Sequence, residues 1–224
     1  MKGRHCSNYD PPLDCSWTWK KIAPMSLFKQ AYTYDCWLAS DKEYSVVDGY
    51  NWMRQIRPRV VWRHVCWNHM NVPKWSFIFW AAQLKRLLTK DRMIQMGFCH
   101  DPICYLCRAT DECHDHLFFS CQFSMQCISS LQRRLGVKFS ASTLSQWTAN
   151  GRMRSKLQRN IVAACHVGVT YGIWNARNKA RLDSYVMLPE YIVKNVIKDV
   201  VLRFWAKNTS VLSARDSSWL CKLS

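Results

Sequence analysis

Carboxylates are scarce in this chain and unevenly placed. From Gly49 to Lys90 there is no Asp or Glu beside eight Lys/Arg, and from Leu117 to Leu182 there is again none beside ten. No Asp-Asp pair occurs anywhere, which argues against two-metal phosphoryl chemistry built on paired aspartates. Glycine-rich phosphate loops of the P-loop or dinucleotide kind are also missing. No apolar run is long enough to cross a bilayer; Phe77 to Ala82 is typical of the longest. The first residues, Met1 to Asp14, are polar and mixed, without a hydrophobic leader. The expectation is therefore an intracellular protein, nuclear or cytoplasmic and not secreted, with no membrane partner. Its cysteines then read as reduced thiols and metal ligands rather than disulfides.

What is present is basic and apolar. The 224 residues carry a formal net charge of +17, and 49% are hydrophobic, with 12 tryptophans. That is enough apolar surface for a real core, in one large domain or two small ones. The acids gather at the N-terminus, in the C-terminal part and around one loop (Asp101, Asp111, Glu112, Asp115). Long stretches of one sign attract polyanions, chiefly nucleic acid or an anionic membrane face, and nucleic acid is the preferred reading here.

That loop is the most informative stretch. Cys104-x2-Cys107 is followed by His116 and, after four residues, by Cys121. Two thiols separated by two residues turn on a tight knuckle and face one cation, and a second pair closes a tetrahedron. Three thiolates and an imidazole suit Zn(II) far better than Mg or Ca. The spacing predicts a Cys3His site holding one zinc per chain, with Leu117, Phe118 and Phe119 as the apolar packing beneath it. Cys99, His100, Cys113 and His114 lie close enough to be decoys or substitutes. Cys113 and His114 would need the loop to fold back before they could be swapped in, so they read as exposed groups or as groups that lie behind the ligands. Cys165 and His166 are adjacent on a helical stretch, so their side chains diverge by roughly 100°. They read as core, not as a nucleophile and its base.

Taken in order, residues 1–43 form an N-terminal segment broken by Pro11, Pro12 and Pro24, with a strand-like alternation at Ser16 to Trp19. Tyr44 to Val47 is strand-like, and Asp48 to Ile56 reads as a helix. A short helix around Val61 to Trp67, with Arg63 and His64 outward, precedes a longer one from Lys74 to Leu88. Thr89 caps a helix from Lys90 to Met96, ended by Gly97. A helix from Gln122 to Leu135, ended by Gly136, leads out of the metal loop. After a connection at 137–151, the span 152–207 holds two long helices. The first runs from about Met153 to Arg181, with Leu157, Ile161, Ala164, Gly168, Tyr171 and Trp174 on one face. The second starts at Pro189 and repeats an apolar pair every four residues from Ile192 to Trp205. Residues 208–224 read as a tail. The fold class is mainly α with a small β contribution: a zinc-knuckle-centred helical domain plus a C-terminal pair of long helices.

These pieces stand in a familiar order. Tyr44-Ser-Val-x-x-Gly-Tyr-x-Trp-Met53, Trp62 and Trp67, Val72-Pro-Lys-x-Ser-Phe-x-x-Trp80, and Leu87-x-Thr-x-Asp-Arg92 come first. The metal segment through Cys121 follows, and then Ile173-Trp174-x-Ala-Arg177-Asn178. The chain resembles the zinc-binding region that follows the reverse transcriptase domain in plant-type non-long-terminal-repeat (LINE-like) retrotransposons. The domain so delimited is 44–136. The resemblance implies a non-catalytic, zinc-stabilised accessory module that helps a retroelement enzyme hold RNA or DNA. A ribonuclease H centre would need several carboxylates, and 117–182 has none.

The expected nucleic-acid contacts are Arg152, Arg154, Lys156 and Arg159 at the start of the first long helix and Arg177, Lys179 and Arg181 at its end. They are expected to face outward, with low sequence specificity. Among the tryptophans, Trp62, Trp75 and Trp80 are candidates for stacking, with burial the stronger expectation. Three alternatives stand beside this reading: a protein-interaction module using the 189–205 helix, thiol-redox chemistry at Cys104/Cys107, and the non-functional relic of a decayed retroelement.

Overall fold

The computed structural model describes residues 60–137, 155–207 and 212–223, all within one unit spanning Arg59–Ser224. The helices are α1 (Arg63–Cys66), α2 (Pro73–Gln83), α3 (Lys90–Gln95), α4 (Gln122–Leu135), α5 (Lys156–Leu182), α6 (Pro189–Lys207) and α7 (Ala214–Cys221). A π-helical turn, His116–Ser120, lies between α3 and α4. Among the described residues the β content is one isolated antiparallel bridge, Ile103 to Asp111. The fold is mainly helical, as the periodicity implies. The strands expected at 16–19 and 44–47 and the helix expected at 48–56 lie outside the described residues.

Local chemistry sets the helix ends. Ser155 caps α5 by accepting the Gln158 amide at 3.1 Å, satisfying one of the orphan donors of a first turn. Gly136 ends α4 at φ 64°, a left-handed conformation that costs glycine nothing. α2 stops several residues short of the expected Leu88. Lys85 takes φ 51°, and the Arg86 and Lys85 amides turn back to the Ala81 and Ala82 carbonyls. A lysine performs there the left-handed closure usually left to glycine, so no sequence signal marked the end. Thr89 sits at the start of α3, but its hydroxyl goes to the Asp91 side chain instead of a helix amide.

α5 and α6 form the expected pair. Ile161, Val162, Val169 and Ile173 of α5 share one core with Ile192, Val193, Ile197 and Val200 of α6, and that core also takes in Trp75 and Phe79 from α2. Gly168 makes the approach possible: a Cβ there would lie 2.6 Å from Val196 Cγ1 and 2.9 Å from the Trp75 ring. Cys165 and His166 are buried in α5. Burial pushes the Cys165 thiol up and the His166 imidazole down to about 3.

The same core contains Leu117, Phe118, Cys104, Cys121 and Leu131. Residues on either side of the 137–151 connection therefore share one interior. Residues 214–221, expected as part of a tail, form α7. It docks by burying Leu220, by Trp219 Nε1 donating to the Leu135 carbonyl at 3.4 Å, and by Asp216 accepting from Ser155 Oγ at 2.9 Å. Its Ser213 cap, with Asp216 in the first turn, is a helix start that the expected tail overlooks.

Candidate metal centre

Two short pieces of chain build the site. In the first, Cys104 N donates to Thr110 O at 2.8 Å, Glu112 N to Pro102 O at 2.8 Å, and Arg108 N to Cys104 O at 3.0 Å. This narrow loop turns Cys104 and Cys107 to one side, with Arg108 at φ 53° making its tightest bend. In the second, Cys121 N donates to His116 O at 2.7 Å. That i→i+5 bond defines the π turn, and it brings His116 and Cys121 to the same side. Leu117 and Phe118 between them are fully buried. Ser124 Oγ ties the Leu117 carbonyl down at 2.5 Å.

Cys104, Cys107, His116 and Cys121 thereby come together, with their ligand atoms all within 4.8 Å of one another. Around a tetrahedral zinc, sulfurs at 2.3 Å from the metal stand about 3.8 Å apart, so the set needs only a small inward adjustment. Cys107 Sγ and His116 Nε2 already lie 3.4 Å apart. The other imidazole nitrogen, Nδ1, faces Thr110 Oγ1 at 3.2 Å and Ser120 Oγ at 3.4 Å. A hydroxyl accepting from Nδ1–H fixes the tautomer that leaves Nε2 free for a metal. Cys121 is drawn below the usual thiol range, first by its hydrogen bond with Cys104, while burial opposes. The amides of Ser124 and Phe123 add to this pull. Cys121 makes no complete capping bond to α4, so those amides act mainly as dipoles at a helix start. Cys104 is pushed up, chiefly as the donor of that same bond and then by burial. The donors present fit zinc.

The decoys separate cleanly. Cys113 is exposed and its sulfur accepts the His116 amide at 3.3 Å. His114 is buried against Phe118, with ring centroids 5.0 Å apart. Burial, its largest influence, lowers the His114 pKa. Cys99 turns to the Asp101 carbonyl at 3.2 Å. Cys66 and Cys127 are buried in the apolar core, where desolvation pushes their thiols up to about 11 and about 12. Cys104 is fully buried, unlike the accessible thiolate of a redox pair.

Residues 44–127 match the family described as zinc-binding in reverse transcriptase. The match takes in α1 to α3, the metal loop and the π turn, and ends inside α4; α5, α6 and α7 lie beyond it. No curated protein and no solved structure matches the chain.

The candidate metal loop is tied to α5 by a residue from outside the matched segment. Arg177, expected on an outer basic face, is 1% exposed. Its Nε and Nη2 donate to Glu112 Oε1 at 3.0 and 2.6 Å. The Lys90 amide reaches the same oxygen at 3.0 Å. Glu112 lies inside the metal loop, between Cys107 and His116, and its carboxylate is fully buried. Such a buried charge is tolerable only when paired and hydrogen-bonded. Tyr105, between the two thiols of the knuckle, has the Lys90 ammonium 3.8 Å from its ring centroid and the Arg177 guanidinium 5.0 Å away. Arg177 therefore belongs to the knuckle's support and is not available to phosphate. The sequence shows Glu112 and Arg177 as a nearby acid and a distant cation, with nothing to pair them.

The other expected contacts divide. Lys156, Arg159 and Arg181 are exposed and Lys179 is half-buried; Arg152 and Arg154 lie outside the described residues. Trp75 is buried, and Trp62 and Trp80 are half-buried. Among the described residues no helix is long and apolar enough to cross a membrane.

Proposed function

We propose that the chain is a non-catalytic accessory module of retrotransposon origin, of the plant-type non-long-terminal-repeat kind. It holds one zinc and binds RNA or DNA through basic surfaces with little sequence preference. The observation that carries this reading is the convergence of Cys104, Cys107, His116 and Cys121 inside a segment that matches zinc-binding in reverse transcriptase. The exposed Lys156, Arg159 and Arg181, the net charge of +17 and the carboxylate-free stretches support a polyanionic partner. The missing aspartate pair supports the non-catalytic role. The module works inside the cell, in nucleus or cytoplasm, with 44–136 as its metal-binding part and 152–207 as its basic, helical part.

Metal analysis with a salt titration tests this. Purified chain should carry one zinc; Cys107→Ser should lose it and Cys113→Ser keep it. Affinity for a labelled oligonucleotide should fall with salt at a log–log slope of about 0.7 to 0.9 per phosphate contact. With Mg or Mn supplied, neither primer extension nor cleavage of an RNA–DNA hybrid should appear. Equal metal loss from both cysteine variants would overturn the ligand set, and salt-independent or absent binding would overturn the partner.

One observation favours a second reading. The solvent side of α6 leaves Tyr191, Leu202 and Trp205 exposed, a surface suited to a protein partner. Pull-down with a polymerase domain of such an element, insensitive to salt and lost in Leu202→Asp, would favour it.

A further inference from the structure

We propose that Trp67 is a stacking platform for an unpaired nucleotide, set among cations where α1, the start of α5 and the end of α6 meet. This rests on the nucleic-acid reading and specifies a site and a strand form for it.

Trp67 is 60% exposed, against 48% for Trp205, the other tryptophan that stands out from the described surface. Its backbone is held firmly. Trp67 N closes α1 on the Arg63 carbonyl at 3.0 Å. The buried Asn71 Nδ2 holds the two preceding carbonyls, Val65 O at 2.8 Å and Cys66 O at 2.9 Å. The next residue, Asn68, reaches across to the Asn160 carbonyl of α5 at 3.0 Å and takes the Met70 amide on its Oδ1 at 2.9 Å. A large apolar ring is thus presented to water on a backbone braced from both sides. That preorganisation reduces the ordering cost of binding.

The same bonds bring the loop that carries the ring close to elements bearing positive charges. Arg63 stands one turn before Trp67, on the same side of α1 by helical spacing, and is exposed. The bond to Asn160 places the loop beside the first turns of α5, which carry the exposed Lys156 and Arg159. Lys207, at the end of α6, donates to the His69 carbonyl at 2.8 Å. The carboxylate that the described contacts place at this end is Asp216. Its Oδ1 accepts from Ser155 Oγ and Gln158 Nε2, and its Oδ2 from Ser213 Oγ, so it is committed to capping. An aromatic face for a base, with cations around it for the flanking phosphates, is the chemistry of single-strand binding. A duplex keeps its bases stacked inside and offers the ring nothing but a terminal pair.

The test uses the full-length, zinc-loaded chain, a labelled uridine dodecamer and a blunt duplex of the same length, followed by anisotropy across a salt series. Trp67→Ala should weaken single-strand binding roughly 5- to 150-fold with the salt slope unchanged. Trp67→Phe should keep most of the affinity, and duplex binding should hardly move. Lys156→Gln with Arg159→Gln should instead lower the slope by about 1.4. In the unaltered chain, photocrosslinking with 4-thiouridine RNA should place the modified tryptophan peptide at Trp67. If Trp67→Ala binds the single strand as the parent does, or weakens strand and duplex alike, the stacking site is overturned while the nucleic-acid reading stands. Crosslinking that maps elsewhere has the same meaning. If the parent binds neither form at any salt, both fall.

Discussion

Arg177 and Glu112 are the residues on which the metal loop's position depends. Removing one partner of a buried ion pair leaves the other charge stranded, at a cost of about 3–5 kcal/mol. Arg177→Met should lower the unfolding free energy by that much, read from the denaturant midpoint and the slope of the urea transition. Arg177→Met with Glu112→Gln should recover part of it, as a double-mutant cycle in urea would read. Zinc should be held less tightly by the single variant, because Tyr105 also loses a cation from its face. Had Arg177 been a phosphate contact, the single change would weaken nucleic-acid binding and leave stability alone. His166 gives a second residue-scale expectation. Its folded pKa, near 3 by burial, lies below the unfolded value of about 6.5. The folded state therefore binds fewer protons between those limits. The stability contributed is complete above about pH 6.5 and declines by about 1.4 kcal/mol per pH unit as pH falls through that window. His166→Gln should flatten the fall in unfolding free energy between pH 6.5 and 5 relative to the parent. Metal release contributes in both proteins, so the difference in slope isolates the imidazole.

At the scale of elements, the close crossing of α5 and α6 turns on a missing methyl group. Alanine at Gly168 would gain about 1 kcal/mol in helix propensity. Its Cβ, however, would press on the Val196 methyl and the Trp75 ring, neither of which can swing aside freely. Overpacking of this kind costs about 1–3 kcal/mol. Gly168→Ala should be net destabilising, and Gly168→Val more so, by thermal melting of the zinc-loaded chain. This crossing was legible in the sequence as a face: the four-residue repeat from Ile192 to Phe204 and the stripe through Gly168 marked both helices and their pairing, while Trp205, the last member of the expected repeat, turns out to solvent. The metal set was legible for a similar reason, since all four ligands fall within one short stretch where spacing alone limits geometry. Helix ends were less so. Gly136 announced itself, but Lys85 adopts a left-handed turn that propensity assigns to other residues. Least legible was Arg177, since a cation in a basic run carries no mark of a carboxylate 65 positions earlier that will bury it.

For the molecule as a whole, the described part of the matched segment, 60–127, and the helices beyond it share one core. Leu117 and Phe118 share their core with Ile161 and Val193, and Glu112 finds its counter-charge on α5. A chain truncated after Val137 should therefore bind zinc weakly and give poorly dispersed amide NMR signals, although it contains every ligand. A well-dispersed spectrum from that fragment would show the segment to be self-sufficient. Chelation of the full chain should likewise loosen α5 as well as the loop, read as faster amide exchange around Arg177.

The ion pair also has a timetable. All four ligands are made within one short stretch of synthesis, whereas Arg177 follows Glu112 by 65 residues. At roughly 5–20 residues per second, that interval is on the order of 3–13 s. Until α5 is made, the nascent knuckle has its four candidate ligands but no counter-charge for Glu112, so its hold on an ion should be weak, as in the chain truncated after Val137. Firm metal binding should wait for the burial of that carboxylate, and a ribosome stalled between the two would hold a loop that exchanges its ion freely.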